Sequence, residues 1–256
     1  MVTATASPAI PAATLIILRD GVDESAPELL MLERARAMAF AGGALVFPGG
    51  RIDPGDRKLA ELVAPHDPDE SAARIAAIRE TIEEAGLPIG LSPSPSPEQL
   101  KVLRAALHAG KPFARALAIA GCTLELDAVE PFARWLPDHR PVRIFDTRFY
   151  LARLPASAPV ASVDATENVT LFWASAASVL ADADAGRATL IFPTRRTLER
   201  LALYPDYESA VADARAHPIR TITPWIEERD GGTFLCIPDD LGFPITAERL
   251  DAAQRG

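Results

Sequence analysis

Eight residues, 79–86, constrain the fold and the chemistry of this chain more than any other segment. They are Arg-Glu-Thr-Ile-Glu-Glu-Ala-Gly. A helix advances about 100° per residue, so Glu80, Glu83 and Glu84 would share one face, and the isoleucines of the same segment would lie roughly opposite. The pattern predicts an amphipathic helix over about residues 70–85.

Residues typical of helix boundaries flank this segment. Asp69 or Ser71 can cap its start, and Gly86 tolerates the left-handed conformation that follows a helix end. The acidic face is either a solvated surface or a site for a cation. Like charges at these spacings repel by roughly a few tenths of a kcal/mol per pair. Because only Arg79 lies nearby to offset this repulsion, a bound cation is favoured.

A glycine-rich segment lies upstream of the predicted helix. Residues 47–56 are Phe-Pro-Gly-Gly-Arg-Ile-Asp-Pro-Gly-Asp, and they follow an apolar run at 44–46. This order predicts a strand that runs into a glycine-rich loop. The strand, the Gly-Gly loop and the helix bearing R-E-x-x-E-E-x-G together resemble the signature of the Nudix hydrolases. That signature is G-x5-E-x7-R-E-U-x-E-E-x-G-U, where U is an apolar residue.

The resemblance to this signature, the Nudix box, is interrupted. Gly50 supplies the opening glycine and residues 79–87 supply the closing half, with a threonine at the first apolar position. Asp56 stands where the first glutamate is expected. Residues 57–69 resemble an insertion between the two halves, and Glu70 is a rival for the missing glutamate. The first acid of the box is therefore either Asp56 or Glu70.

An interrupted box is similar to one branch of the superfamily, the larger Nudix proteins related to the peroxisomal coenzyme A diphosphatases. Residues 12–19 and 28–34 resemble the opening hairpin of that branch. Residues 145–150, Phe-Asp-Thr-Arg-Phe-Tyr, resemble another of its segments. The resemblance implies an α/β Nudix fold, an α/β/α sandwich around a mixed β-sheet with helical insertions.

The length and composition of the chain suit one large domain or two small ones. It has 256 residues, of which 48% are hydrophobic, enough to bury a sizeable core. The serine-proline run at 92–97 predicts an extended linker, which is either a domain boundary or the stalk of an insertion. We favour the insertion, because strands on both sides are needed to complete a Nudix sheet. The prediction is a single domain over 1–256, with insertions at about 57–69 and about 92–122.

Hydrophobic periodicity predicts the remaining elements. Strands are predicted at 12–18, 29–34, 44–47, 142–153, 169–173, 188–191, 219–226 and 233–237. Further helices are predicted at 97–119, 176–184, 194–203 and 207–216. The interleaving of strands and helices indicates an α/β architecture rather than two separate blocks.

The resemblance also implies the chemistry. Nudix enzymes hydrolyse a diphosphate linkage that joins a nucleoside to another group, and hard cations such as Mg²⁺ or Mn²⁺ suit that reaction. Carried over by position, Glu83 and Glu84 are direct metal ligands, and Glu80 is a ligand or the base that activates water. Arg79 would orient Glu80 through an ion pair. Gly50, with Gly49 before it, would let the loop approach the phosphates.

Several candidates outside the box helix complete the predicted site. Glu167 is the candidate for a further acidic metal ligand from a loop, and Asp56 belongs to the loop that approaches the phosphates. Arg34 and Arg148 could meet phosphate or nucleotide, although arginines more often cover apolar surface or pair with carboxylates. Four aromatic residues could stack on a base, but a place in the core is favoured for them. They are Trp135, Phe149, Tyr150 and Trp173.

Charge and cysteine content narrow the partners and the compartment. A net charge of −9 argues against nucleic acid, which usually meets a basic surface. No apolar run is long enough for a membrane span, and the start of the chain lacks the basic region of a signal peptide, so a cytoplasmic protein is expected. Cys122 and Cys236 are expected to be buried free thiols. Many members of the family form dimers, so a homodimer is possible.

Three classes of function remain open at this stage. The leading one is a metal-dependent diphosphatase, with coenzyme A or acyl-CoA as the best single substrate. ADP-ribose, a nicotinamide dinucleotide such as NADH, or a nucleotide sugar would need the same box. The second class is a catalytically weak nucleotide-binding or regulatory protein. The third is an interaction protein whose acidic helix binds a partner.

Overall fold

A computed structural model describes residues 9–21, 25–37, 41–137, 144–163 and 168–253. Its strands are β1 Ile10–Arg19, β2 Glu28–Arg34, β3 Leu45–Val46, β4 Gly49–Arg51, β5 Leu91–Ser92, β6 Thr123–Leu124, β7 Glu130–Trp135, β8 Phe145–Arg153, β9 Asn168–Ser175, β10 Thr221–Ile222, β11 Trp225–Arg229, β12 Gly232–Cys236 and β13 Ala247–Arg249. Its α-helices are α1 Pro54–Val63, α2 Pro68–Ala85, α3 Pro97–His108, α4 Phe113–Ala120, α5 Ala176–Asp184, α6 Phe192–Leu201, α7 Tyr207–Ala216 and α8 Leu250–Ala253. A short 3-10 helix spans Leu126–Ala128.

Among the described residues, eight strands form a mixed central sheet. Six follow the order β10-β7-β8-β1-β2-β3, while β4 pairs with β1 and β9 pairs with β2. Strands β1 and β8 run parallel, and the other pairs are antiparallel except for β10 with β7. Helix α2 covers one face of the sheet, and α6 and α7 cover the other. This arrangement confirms the predicted α/β/α Nudix fold.

The centre of the sheet is β1. It pairs with β8 in continuous register from Ile10 with Phe145 to Leu18 with Arg153. Its odd-numbered apolar residues, such as Leu15, pack toward α2, and its even-numbered ones, such as Ile16, pack toward α6. A strand covered on both faces is apolar along its whole length rather than alternating, which explains why the sequence of β1 is almost uniformly apolar.

Helix α2 carries the acidic face. It begins at Pro68, because Asp67 accepts a hydrogen bond from the backbone N–H of Glu70 (3.3 Å) and Pro68 suits the first helical position. The predicted start at residue 70, with Asp69 or Ser71 as the cap, was therefore two residues late. Gly86 ends the helix with φ +66°, in the predicted left-handed conformation.

The two predicted insertions contain regular structure that the sequence analysis missed or merged. The segment 57–69 is mostly the end of α1, which begins at Pro54. The predicted helix over 97–119 is two helices, because Gly110 adopts φ +70° and Pro112 precedes the second one. Apolar side chains of both helices join the core beneath α2, among them Leu103 and Leu117.

Three other element predictions were wrong in part. The serine-proline run was predicted to be an extended linker, yet its first residue, Ser92, pairs with Thr123 where β5 meets β6. The predicted strand at 188–191 is a single bridge between Thr189 and Ala44, followed at once by α6. The predicted strand at 219–226 is divided into β10 and β11, which belong to different sheets. In each case tertiary pairing outweighed local β-propensity.

Residues outside the site follow ordinary packing. The four aromatic residues considered for stacking on a base belong to the core, as favoured from the sequence. Three are buried and one packs at the edge of the core; they are Trp135, Phe149, Tyr150 and, at the edge, Trp173. Both cysteines are buried and unpaired, as expected. None of the helices in the described ranges is long and apolar enough to cross a membrane.

Candidate active site

A buried arginine is the centre of the candidate site. Arg79 lies on α2 and uses all five of its N–H groups. Its Nε donates to Asp56 Oδ1 (3.0 Å) and its Nη2 donates to Asp56 Oδ2 (2.9 Å). Nη2 also donates to the carbonyl of Arg51 (2.9 Å), and Nη1 donates to Oε1 of Glu80 (2.8 Å) and Oε1 of Glu83 (2.9 Å). The planar guanidinium thus joins the loop side of the site to the acidic helix face.

The electrostatics of this arginine follow from its partners. Burial alone would lower the pKa of Arg79, but the bond to Asp56 and the charges of Glu80 and Asp56 more than offset it, so its pKa is raised. A guanidinium in this setting keeps its charge at every accessible pH. It therefore acts as a fixed cation that holds two carboxylates of α2 and one carboxylate of α1 together.

Asp56, and not Glu70, faces this arginine. It is 1% exposed and sits in the first turn of α1, where one of its oxygens accepts a hydrogen bond from the backbone N–H of Asp53 (2.9 Å). Glu70 instead accepts hydrogen bonds from the Tyr150 hydroxyl (2.9 Å) and from Arg74 (3.2 Å). Of the two rivals for the first acid of the box, Asp56 occupies the position next to Arg79.

The glycine pair lies directly against the acidic helix. A Cβ built on Gly50 would overlap the carboxylate of Glu80, and a Cβ on Gly49 would overlap Thr14 and the backbone beside it. Strand β4 places Gly50 opposite Ala13 of β1, which fixes the close approach. Burial raises the pKa of Glu80 to about 8; Arg79 opposes this shift, and the charges of Glu84 and Glu83 add to it. Glu80 is thus a crowded carboxylate between β4 and the rest of the acidic face of α2.

Glu84 is the third carboxylate of the face, and it has different partners. Its Oε2 accepts a hydrogen bond from the backbone N–H of Gly49 (2.8 Å), and its Oε1 accepts one from Asn168 Nδ2 (2.9 Å). Asn168 is the first residue of β9 and is fully buried. The sequence analysis missed it, although it follows the candidate Glu167 directly. Within the described ranges, the Oδ1 atom of Asn168 has no hydrogen-bond partner.

Comparisons with known proteins find similarity to Nudix proteins. The chain matches no protein-family model. It is 29% identical to a human and to a chicken protein, each named acyl-coenzyme A diphosphatase NUDT19, over 57% and 58% of its own length. It spans about half the length of these curated relatives, 53% and 54%. A crystal structure of a NUDIX hydrolase from Alicyclobacillus acidocaldarius matches it with a TM-score of 0.68 at 28% identity, covering 81% of this chain and 97% of that one.

The chain belongs to the Nudix hydrolase superfamily. The structure shows how the two halves of the interrupted Nudix box come together. The glycine half lies on β4 and the acidic half on α2, and α1 bridges them so that Asp56 returns to Arg79. The Nudix box is therefore interrupted in sequence but continuous in space.

Three other predicted site residues of this Nudix protein remain, and the two that the structure describes differ in where they lie relative to the acidic face. Arg148 contacts Glu70 (Nε to Oε2, 3.4 Å) in the first turn of α2, ten residues and roughly 15 Å of helix rise before Glu80. Arg34 ends β2 directly across from Asn168, so it borders the site near Glu84. Glu167 lies outside the described residues.

The donor set of the Nudix helix fits a hard divalent cation. Three carboxylates share one face, and Arg79 contacts only one oxygen, Oε1, of Glu80 and of Glu83. Burial is the main cause of the raised pKa of Glu80, and the charges of Glu84 and Glu83 add to it; a divalent cation would relieve this repulsion between the carboxylates. The buried Oδ1 of Asn168, which has no hydrogen-bond partner among the described residues, lies beside Glu84. In the part of the chain that the structure covers, however, no three acidic, histidine or cysteine side chains already converge on one point. The glutamates would have to turn toward a bound ion.

Proposed function

We propose that this Nudix protein is a metal-dependent hydrolase that cleaves the diphosphate linkage of a nucleoside-diphosphate derivative. One observation carries the proposal: the guanidinium of Arg79 joins Asp56 to Glu80 and Glu83, and the Glu80 carboxylate lies directly against Gly50 of β4. A face of carboxylates held by a buried cation beside a glycine pair suits a substrate that carries phosphate charge. The membership in the superfamily supports the same reaction class.

The metal proposal rests on the same face. Glu80, Glu83 and Glu84 would hold Mg²⁺ or Mn²⁺, and Glu167 is the candidate for a further ligand. A bound divalent cation would supply charge neutralisation at the diphosphate and a more acidic water. In this proposal Arg79 and Asp56 orient the glutamates, and Glu80 either ligates the ion or accepts the proton of water. Gly49 and Gly50 bring the loop close to the phosphates, because neither carries a side chain.

We propose coenzyme A or acyl-CoA as the first substrates to test. The names of the human and chicken relatives support this choice, and both align over only about half of their length, 53% and 54%. ADP-ribose, NADH and nucleotide sugars are the competing substrates, since each has a diphosphate bonded to a nucleoside. Arg34, at the border of the site, is the candidate for a contact with phosphate or nucleotide.

The decisive experiment is a substrate panel assayed with Mg²⁺ and with Mn²⁺, in which products are resolved by mass. Turnover of coenzyme A should release an adenosine bisphosphate and a phosphopantetheine, because hydrolysis of the diphosphate leaves one phosphate on each fragment. Preferential turnover of another diphosphate in the panel would change the proposed substrate but keep the proposed reaction class. Absence of phosphate products from every diphosphate would sink the enzymatic proposal and leave the nucleotide-binding and interaction alternatives.

Variants of the acidic face test the metal proposal. Glu83→Gln and Glu84→Gln should each lower metal-dependent turnover by about a hundredfold or more, since each removes a ligand charge. Glu61→Gln is the matched control, because Glu61 is exposed on α1 away from the acidic face. If the two variants keep full turnover in Mg²⁺, these glutamates are not the ligands.

The wider setting is also a proposal. A net charge of −9 supports a small-molecule substrate rather than nucleic acid. We propose that the protein acts in the cytoplasm without a membrane partner, and that it forms a homodimer. Light scattering of the purified chain would test the homodimer, and a mass equal to the 27.4 kDa monomer would contradict it.

A further inference from the structure

The carboxyl end of α2 is completed by residues from distant parts of the chain. The N–H of Gly86 donates to the carbonyl of Ile82 (3.1 Å) and closes the helix. A helix leaves its last carbonyls without partners of their own, and α2 has no basic residue in its last turn. The next three carbonyls nevertheless all receive donors, and those donors come from α3 and from the segment before β9.

Arg104 of α3 supplies two of these donors. Its Nε donates to the carbonyl of Glu83 (2.9 Å), and its Nη2 donates to the carbonyl of Glu84 (3.2 Å). The backbone N–H of Ser162 donates to the third carbonyl, that of Ala85 (2.9 Å). His108, one turn after Arg104, places Nε2 3.1 Å from the Glu83 carbonyl. The two carbonyls bound by Arg104 belong to the residues proposed as metal ligands.

The same guanidinium also holds the segment before β9. Its Nη1 donates to Ser162 Oγ (2.7 Å) and its Nη2 donates to Ser162 O (2.7 Å). Ser162 lies six residues before Asn168, whose side chain bonds the carboxylate of Glu84. Glu84 is thereby fixed at both ends, by Arg104 at its carbonyl and by Asn168 at its carboxylate.

Core packing and the end of α2 fix the position of Arg104. It stands on α3 next to Leu103, which is fully buried in the core that α3 shares with α2. A Cβ on Gly86 would lie 3.0 Å from Nη1 of Arg104, so the guanidinium is seated on the glycine that ends α2. A cation at the carboxyl end of a helix is also favoured by the helix dipole.

We propose that Arg104 is a positioning residue for the metal site, supplied by the inserted segment 92–122. It holds the last turn of α2 so that Glu83 and Glu84 present their carboxylates together. This inference rests on the proposed function. It gives the insertion a role in that function, which is to provide the cation that the Nudix helix lacks in its own last turn.

The test measures Mn²⁺ binding without substrate, by titrating the full chain and following free Mn²⁺ by electron paramagnetic resonance. Arg104→Gln should weaken Mn²⁺ binding by about tenfold, the effect typical of residues that orient metal ligands. Arg104→Lys should lose less, because an ammonium can reach one carbonyl but cannot bridge two carbonyls and Ser162. Arg115→Gln is the matched control on the same insertion, since Arg115 is exposed on α4.

Turnover supplies a second measurement. In the Gln variant the Mn²⁺ concentration needed for half-maximal turnover should rise by about tenfold, and excess Mn²⁺ should return kcat to within about threefold of wild type. If folded Arg104→Gln binds Mn²⁺ with wild-type affinity, the inference is overturned and the proposed function stays intact. If the Gln variant does not fold, wild-type affinity in Arg104→Lys has the same meaning. A wild-type chain that binds no Mn²⁺ overturns the metal assignment, and with it this inference.

Discussion

Two buried arginines on opposite faces of the sheet show how different the settings of the same side chain can be. Arg79, on α2, is 7% exposed and has a hydrogen-bond acceptor for each of its five N–H groups. Arg196, on α6, is 1% exposed; it donates to Glu199 (2.7 Å) and lies 3.2 Å from Glu248. In the described part of the chain its Nε and Nη1 have no hydrogen-bond partner.

The pKa values of the two arginines also shift in opposite directions. The partners of Arg79 outweigh its burial and raise its pKa, whereas burial outweighs the carboxylates around Arg196 and lowers its pKa. A completely bonded charge can hold other groups in fixed positions, while an incompletely bonded one mainly costs free energy of folding. Burial of a charged residue therefore does not identify a functional site. The completeness of its partners, and what those partners do, is the better guide.

Among the variants that test this comparison, Arg79→Gln should have the largest effect. It should lower kcat/KM by about a hundredfold, because Glu80 and Glu83 lose the group that orients them. It should also lower the free energy of unfolding by about 3 kcal/mol, since Asp56 stays buried without its partner. Steady-state kinetics with saturating Mg²⁺ and urea unfolding measure the two effects. A variant that keeps wild-type kcat/KM would remove Arg79 from the site.

Arg196→Met should lower the stability of the protein but not its activity. Its free energy of unfolding should fall by about 3 kcal/mol, because Glu199 and Glu248 lose a buried partner, while kcat/KM per folded molecule stays at the wild-type value. The double variant Arg196→Met with Glu199→Leu should recover most of the lost stability, since an apolar pair replaces the ion pair. A loss of kcat/KM in the folded single variant would contradict the comparison.

Gly50→Ala should affect activity more than stability. The added Cβ meets the end of the Glu80 side chain, which can move away, so the fold tolerates it but the carboxylate is displaced. We expect kcat/KM to fall by about tenfold, with a change of less than about 1 kcal/mol in unfolding. Gly55→Ala is the matched control, because its Cβ would meet no atom within 4 Å. Equal kcat/KM in both variants would show that Glu80 does not need its position.

Arg148→Gln should have the smallest effect. The structure pairs Arg148 with Glu70, an arrangement with enough exposure to contribute at most about 1 kcal/mol, so KM and kcat should stay within about twofold of wild type. Arg134→Gln, which breaks a neighbouring ion pair with Asp146, is its control. A clear rise in KM for Arg148→Gln alone would instead support the role predicted from the sequence, in which this arginine meets the substrate.

The sequence predicted the elements whose signals are local. Helices α5 and α7 have the predicted bounds, because Ser175 and Asp206 are recognisable caps directly before them. The acidic face of α2 was likewise visible as a helical spacing of carboxylates. Helix α1 was missed, although Pro54 after Asp53 is a recognisable start, and with it the reason why Asp56 reaches Arg79.

The rest of the site depends on contacts between residues far apart in sequence. Asn168 and Glu84 are 84 positions apart, and Arg104 and Glu83 are 21 apart. Neither Asn168 nor Arg104 belongs to the signature, and no periodicity marks them. The ion pair of Arg148 with Glu70 is not visible in the sequence for the same reason, because the two residues are 78 positions apart and lie on β8 and α2. Local patterns indicated the acidic face and Arg79, but not Asn168 and Arg104, which bond Glu84 and Glu83 from other parts of the chain.

The parallel pairing of β1 with β8 has a consequence for how the protein is made. Strand β1 shares only two registered pairs with β2, so its main partner is β8, which ends 134 residues after it at Arg153. At ribosomal speeds of about 5 to 20 residues per second, β1 waits roughly 7 to 27 s for that partner. During synthesis, the apolar strand β1 therefore lacks its main pairing partner until a further 134 residues have been made.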